Sequence, residues 1–321
     1  MFLYSDSNKR YHTLDYFYKN KFGSKVFKVS LNAGFTCPNI DGTLGTRGCI
    51  YCSRLGSGEF AGKPSDDLIK QFNSIRCMME NKWPGGKYIG YFQARTNTYA
   101  PIDTLKEKYE TILNIPGVIG LNIATRPDAI SDECLNYLTE LNKRTYLTIE
   151  LGLQTIHEDT TKLINRCHTL DCYKDMVLKL RKRNINVVVH IINGLPYESH
   201  DDMIDTIKYI NKLDIQGVKI HMLHIVKNTD LAAMYEEKQF HILSLDEYVN
   251  IVCDQLELLR PEIVINRITG DPKREDLIEP KWLLKKFCVL NEIDKEMKRR
   301  DSYQGCKIKK WLISHFLIPL I

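Results

Sequence analysis

Two hydrophobic periods take turns along this chain. Segments rich in β-branched and aromatic residues, several of them alternating apolar and polar positions, predict strands at 26–34, 87–94, 120–127, 145–154, 185–196 and 218–226. The segments between them predict helices: SDDLIKQFNSIRCMMEN, PIDTLKEKYETIL, SDECLNYLTELNKR, TLDCYKDMVLKLRKR and SHDDMIDTIKYINKL. Most of these open on Ser, Asp, Thr or Pro, residues that favour helix starts. Regular strand–helix alternation implies right-handed crossovers and a parallel sheet.

The segment 146–154 helps to choose between an open doubly wound sheet and a barrel. Leu147, Ile149, Leu151 and Leu153 fall on one face, and Tyr146, Thr148, Glu150, Gly152 and Gln154 on the other. A doubly wound sheet covers both faces with apolar helices, whereas a barrel lumen tolerates a polar face. The segment 186–194 repeats the pattern through His190 and Gly194, although Val188 and Ile192 on the same face are apolar. We therefore expect an α/β chain built on a partial (β/α)6 TIM-type barrel over residues 25–265. An N-terminal segment, 1–24, precedes it, and a mostly helical, basic C-terminal extension, 266–321, packs on the barrel. Chemistry in such barrels sits at the carboxyl ends of the strands. Within the C-terminal part, SLDEYVNIVCDQLELL starts with a Ser244-x-x-Glu247 capping box, and the apolar tail WLISHFLIPLI is expected to dock on the barrel.

Composition changes this picture in two places. The chain has 321 residues, 43% of them apolar, and a formal charge of +5. Residues 281–310 hold ten Lys or Arg against four acids, a local +6 that fits either a polyanion-binding patch or a solvated helix face. The second place is the set of ten cysteines. With no secretory-type N-terminus and no apolar run of membrane-spanning length, we expect a soluble cytoplasmic protein with reduced thiols and no membrane contact. Cys77, Cys134, Cys167, Cys172, Cys253, Cys288 and Cys306 stand apart and are expected to be small buried apolar residues.

The remaining three lie in CPNIDGTLGTRGCIYC, directly after the first predicted strand, with the spacing Cys37-x11-Cys49-x2-Cys52. A structural zinc site or an ordinary [4Fe-4S] cluster takes four protein ligands. Three thiolates leave one iron open to a partner that is not protein.

The cysteine loop resembles that of the radical S-adenosylmethionine superfamily, with an expanded first gap similar to that of the catalytic subunit of elongator. In order, FTCPNIDGTLGTRGCIYC, YFQARTNTYAP, ATRPD, ELGLQTIHEDTTKLINR, HIINGLP, KIHMLHIVKNTDLA, RITGD and QG resemble the YhcC/YtqA-type members of that superfamily, from about residue 25 to about residue 306. The resemblance implies that Cys37, Cys49 and Cys52 hold a [4Fe-4S] cluster whose fourth iron is chelated by S-adenosylmethionine. It further implies reductive cleavage to a 5′-deoxyadenosyl radical, fed by an electron donor such as flavodoxin or ferredoxin. Glu150 and Gln154 match the Glu-x-Gly-x-Gln strand that contacts the cofactor, the alternative for Glu150 being a structural pair with Arg126. Gln93 follows the second strand, where the superfamily binds the cofactor's amino group through a Gly-Gly-Glu motif that is absent here. Arg126 either meets the cofactor carboxylate or anchors its loop to Asp128. Gly194 is placed beside the adenine, although Tyr197 stands where relatives have a second glycine, and His190 joins the cofactor-binding set. His221, His224 and Lys227 converge with His190 near the barrel mouth, as candidates for phosphate binding or proton transfer.

The elongator-like loop and the basic C-terminal segment point to tRNA, at the wobble uridine, as substrate. A radical enzyme acting on a small molecule or protein side chain, and a non-catalytic metal-containing nucleic-acid-binding protein, remain as alternatives.

Overall fold

The computed structural model describes residues 2–56 and 58–308. Ten α-helices and nine strands are found among them. The strands are β1 (Val26–Leu31), β2 (Lys87–Phe92), β3 (Val118–Thr125), β4 (Tyr146–Gln154), β5 (Asn186–Asn193), β6 (Gly217–Met222), β7 (Ile225–Val226), β8 (Val264–Arg267) and β9 (Leu277–Glu279). The helices are α1 (Leu14–Phe22), α2 (Leu68–Lys82), α3 (Ile102–Leu113), α4 (Asp132–Arg144), α5 (Glu158–Leu163), α6 (Leu170–Arg181), α7 (His200–Ile210), α8 (Asp230–Glu236), α9 (Leu245–Leu258) and α10 (Lys286–Arg299).

Seven strands form one parallel sheet in the order β1-β2-β3-β4-β5-β6-β8. Its curvature is fixed by side chains that meet across it. Lys219 on β6 donates to Tyr91 Oη on β2 at 2.7 Å. Four strand steps of about 4.8 Å separate those strands along the sheet, too far for the two side chains to span if the sheet were flat. The sheet therefore wraps into a half-barrel with helices outside it. The six expected strands are all present, and β8 adds a seventh. That strand spans Val264–Arg267, so the sheet runs two residues past 265.

The outward face of β4 (Leu147, Ile149, Leu151, Leu153) is fully buried, as its alternation requires. Helices start where their caps indicate. Asp67, Ser131 and Thr169 each accept a backbone N–H from the first turn, and both Ser199–Asp202 and Ser244–Glu247 form reciprocal capping boxes. The N-terminal segment contains α1, and Thr13 bridges to Ile265 beside it. Gln304 of the QG motif accepts from His12 N–H and donates to the carbonyls of Arg260 and Ile263, which ties the two ends of the described chain to β8.

Two expectations change. Of the seven isolated cysteines, only Cys134 and Cys253 are buried; Cys77, Cys167 and Cys288 are exposed. Cys77 and Cys288 lie on helices whose solvent faces carry them, so their isolation in sequence said nothing about depth. In the C-terminal segment, five of the eight described cations are paired with acids: Lys286 with Asp271, Lys295 with Glu292, Arg299 with Glu296, Arg300 with Asp254 and Glu296, and Lys307 with Glu257. Internal pairing spends most of the expected basic patch. Lys309, Lys310 and the apolar tail lie outside the described residues. No described helix is long and apolar enough to cross a membrane.

Candidate active site

The loop after β1 carries the three cysteines and is stitched from both sides. Gly48 N–H donates to Asn39 carbonyl oxygen at 2.7 Å, and the left-handed φ of Gly48 (74°) permits the turn into Cys49. The segment after α5 holds the loop from outside: Asn165 Nδ2 donates to Gly48 O at 2.7 Å, Asn39 Nδ2 to Asn165 O at 2.6 Å, and Ile50 N–H to Ile164 O at 3.2 Å. Asn39 Nδ2 also lies 3.7 Å from Cys49 Sγ. Cys37, Cys49 and Cys52 all border one cavity of about 640 Å³ that continues into the barrel lumen. Burial pushes the Cys49 thiol up, against Arg126, and pushes Cys52 up to about 12. A bare thiolate is thus disfavoured at both, and a bound cationic metal would supply the missing compensation.

Deeper in the cavity lies a charged layer contributed by five strands. Glu150 on β4 is fully buried. Its Oε1 accepts from Lys28 Nζ on β1 and Asn122 Nδ2 on β3, each at 2.7 Å. Its Oε2 meets Lys219 Nζ and, at 2.9 Å, His190 Nε2. Both ammonium groups lie near the Tyr91 ring, at 4.8 Å for Lys28 and 4.3 Å for Lys219. Burial alone would raise the Glu150 carboxyl, but Lys219 and Lys28 reverse that and hold it well below the ordinary range. Burial lowers Lys219 to about 7 against the pull of Glu150, and lowers His190 to about 4 with help from Lys219. Both His221 and His224 are also lowered by burial, so these histidines are neutral near pH 7.

The structure brings Gln93, Arg126, Glu150, Gln154, His190, His221 and His224 to the cavity wall with the cysteines. Gln154 has a left-handed φ of 61°, next to a register shift between β4 and β5. Strain of this kind at a strand end is characteristic of sites. The structural Glu150–Arg126 pair does not form. Four donors closer to Glu150 take both of its oxygens, and Arg126 makes a two-pronged pair with Asp128 at 2.9 and 2.7 Å. Gly194 is in the turn after β5 with φ of 82°, and a Cβ there would meet Leu243 Cδ1 at 3.0 Å, so local backbone and packing already require glycine. It does not line the cavity, and neither does Lys227, whose Nζ donates to Glu275 carbonyl oxygen. Tyr197, where the resemblance led us to expect a second glycine, has a left-handed φ of 66°.

Sequence reasoning missed Lys28, Lys219 and Arg166. The signal for the first two was present: Lys28 with Ser30, and Lys219 with His221, share the inward face of otherwise apolar parallel strands. Arg166 is fully buried and caps the carbonyls of Thr155 and His168 at 2.8 and 2.9 Å, in a loop with no periodicity to mark it.

A half-barrel with three cysteines after its first strand defines a radical S-adenosylmethionine protein, and the chain belongs to that superfamily. The sequence pattern of the Radical SAM superfamily matches residues 42–210, and that of the Radical_SAM C-terminal domain matches residues 215–299. Within the superfamily, the chain is 54% identical to YtqA of Bacillus subtilis over 95% of this chain and 94% of YtqA. It is 30% identical to YhcC of Escherichia coli K12 over 91% of this chain and 94% of YhcC, which places it among the YhcC/YtqA-type proteins. A shorter similarity, 28% identity over 52% of this chain and 35% of the relative, joins it to a tRNA-2-methylthio-N(6)-dimethylallyladenosine synthase of Acinetobacter baumannii. Among solved structures, an N-terminally shortened Elp3 from the archaeon Methanocaldococcus infernus shares the fold, with a TM-score of 0.65 at 18% identity. The match covers 88% of this chain and 64% of that one, so the archaeal protein has further regions without counterpart here.

Proposed function

We propose that this radical SAM enzyme holds a [4Fe-4S] cluster on Cys37, Cys49 and Cys52, cleaves S-adenosylmethionine reductively, and uses the resulting radical to modify a nucleotide of tRNA, at the wobble uridine. The observation that carries the cofactor reading is the convergence of these three thiols on one cavity with the Glu150–Gln154 strand end. Three thiols suit a cluster with one open iron. Among the described residues, no three His, Cys, Asp or Glu side chains are gathered closely enough to hold a single metal ion.

When bound, the cluster and S-adenosylmethionine supply a carbon-centred radical. The chain's own residues bind, orient and exclude water. Arg126, fixed by Asp128, keeps a guanidinium beside Cys37 and Cys49. Arg95, with a left-handed φ of 66°, donates to the carbonyl of Arg54 and lies near Cys52. These two cations lower the electrostatic cost of thiolates there. Gln93 and Gln154 present amides to the same space. The buried walls (Phe92, Leu151, Ile191 behind the polar lining) shield the lumen from water, as a reactive radical requires.

The tRNA reading draws support from the named activity of the Acinetobacter relative; because the C-terminal cations are internally paired, we assign RNA contact to exposed Arg47 and Arg54, sequence neighbours of the cavity-lining Gly48 and Ser53. The test is direct. Reconstituted enzyme, reductant and S-adenosylmethionine are incubated with bulk tRNA, and nucleosides are compared by mass. A mass change in one uridine derivative supports the reading. Turnover of S-adenosylmethionine with a small molecule or peptide but never with RNA would replace it.

A further inference from the structure

We infer that the lumen floor is a binding site for an oxyanion, a carboxylate or phosphate group carried by the substrate, with Lys28 and Lys219 as its cationic ligands. The inference rests on the barrel being the reaction chamber proposed above.

Two ammonium groups are delivered to one carboxylate from β1 and β6, strands far apart in the sheet. Each ammonium has three N–H donors. Glu150 and Tyr91 account for two of those on Lys219, and Glu150 for one of those on Lys28. Both lysines line the cavity, where Arg267 joins them. On the acidic side, Glu150 is shared between the two lysines. Asp271 is shared between Arg267 at 3.1 Å and Lys286 at 2.7 Å. The remaining acid of the lining, Glu59, accepts from Ser53 Oγ at 2.5 Å on the cysteine-loop side. Burial lowers the histidines 190, 221 and 224, so the floor's cations are the lysines and Arg267 rather than imidazolium groups. With Lys219 protonated, as it is below its value of about 7, the floor carries three cations (Lys28, Lys219, Arg267) against two carboxylates (Glu150, Asp271). Buried cations without matching anions are costly, and a further anion would complete the set.

The cofactor's own carboxylate is the other possible source. Arg126 and Arg95 are the cations that act on Cys49 and Cys52. Lys28 and Lys219 each lie three residues before the ends of their strands, at Leu31 and Met222, which is about 10 Å deeper at roughly 3.3 Å per residue. A group bound at the cysteines is served by the arginines. The lysines face what lies beyond it.

The experiment titrates the purified chain at pH 6, below the Lys219 value of about 7, with inorganic phosphate and with acetate at constant ionic strength, reading binding by calorimetry, with and without saturating S-adenosylmethionine. We expect saturable binding of at least one of the two, unaffected by S-adenosylmethionine, with their relative affinity assigning phosphate or carboxylate. Lys28→Met and Lys219→Met should each weaken it at least tenfold. Glu150→Gln should tighten it several-fold, because the competing internal carboxylate is gone. Should Lys219→Met not fold, the charge-balanced pair Glu150→Gln with Lys219→Met replaces it, and must bind at least tenfold more weakly than Glu150→Gln alone. No saturable binding, binding indifferent to both lysines, or weaker binding in Glu150→Gln would each overturn the inference. Displacement by S-adenosylmethionine would assign the site to the cofactor and overturn it as well. Neither RNA nor cofactor cleavage enters the titration, so its failure is separate from failure of the proposed function.

Discussion

Lys28 Nζ on β1 lies 2.7 Å from Glu150 Oε1 on β4, three strands away across the lumen. This contact and its partner from Lys219 are part of what curls the sheet, so Glu150 serves the fold as well as the site. Removing a buried anion leaves two ammonium groups facing each other. We expect Glu150→Leu to destabilise the chain by about 3–5 kcal/mol in urea denaturation. Glu292→Ala, which removes the partner of exposed Lys295, should cost no more than about 0.5 kcal/mol. Equal losses from both would contradict the assignment.

Acid should weaken the fold through its buried histidines. Burial holds His168 down to about 3, with Arg166 assisting, and His190 down to about 4. An unfolded histidine binds its proton near pH 6.5. Below that pH the unfolded state takes up protons that the folded state refuses, so stability falls as pH falls from 6.5 toward 4. His12, His221 and His224 act in the same direction. The opposite sign belongs to His200, which Asp254 and Asp201 raise against its burial, and to Glu198, which burial raises. Lys219, lowered to about 7, adds an earlier fall, because the unfolded lysine keeps a proton that the folded one gives up above that pH. Urea midpoints measured from pH 8 to pH 5 should therefore decline toward pH 7 and again below about 6.5, and His168→Gln should flatten the second decline. A midpoint that rises on acidification would show the histidines to be charged in the folded chain.

Gly194→Ala should destabilise by about 1–2 kcal/mol, through its left-handed φ and the crowding of Leu243. Affinity for S-adenosylmethionine, read by calorimetry, should change little, because Gly194 is outside the cavity lining. A large loss of affinity in a well-folded variant would restore this residue to the cofactor site.

Charge reversal in the C-terminal segment separates fold from RNA contact. Arg300 joins Glu296, Asp254 and Asn250 across α9 and α10 at 2.7–2.8 Å. We expect Arg300→Glu to lower thermal stability while leaving the salt dependence of tRNA binding unchanged. Arg47→Glu with Arg54→Glu should instead weaken tRNA binding and reduce its salt slope, by roughly one unit for every phosphate that is no longer neutralised. The reverse outcome would return RNA to the C-terminal face.

The sheet was readable in the sequence because parallel strands with one polar face leave a period-2 trace, as in Leu147 to Leu153 against Thr148, Glu150 and Gln154. Capping chemistry marked the helix starts in the same way, through Ser131, Ser199 and Ser244. The fourfold partnership of Glu150 was not readable, since it joins β1, β3, β5 and β6 and depends on curvature that no single segment encodes. A lysine at the inward position of an apolar strand was the available clue. The internal pairing of the C-terminal cations was hidden for a related reason: Asp254 and Glu257, which neutralise Arg300 and Lys307, lie some fifty residues earlier in the chain.

Cys37, Cys49 and Cys52 must act together if the chain is to cleave S-adenosylmethionine reductively. The deciding measurement is anaerobic: the chain is reconstituted with iron and sulfide, reduced, and given S-adenosylmethionine and bulk tRNA, with Cys49→Ala in parallel. We predict about four iron per chain and 5′-deoxyadenosine from the wild-type protein, with both sharply reduced in the variant. Equal amounts of 5′-deoxyadenosine from the two proteins, or zinc retained in place of iron, would contradict this role for the three cysteines.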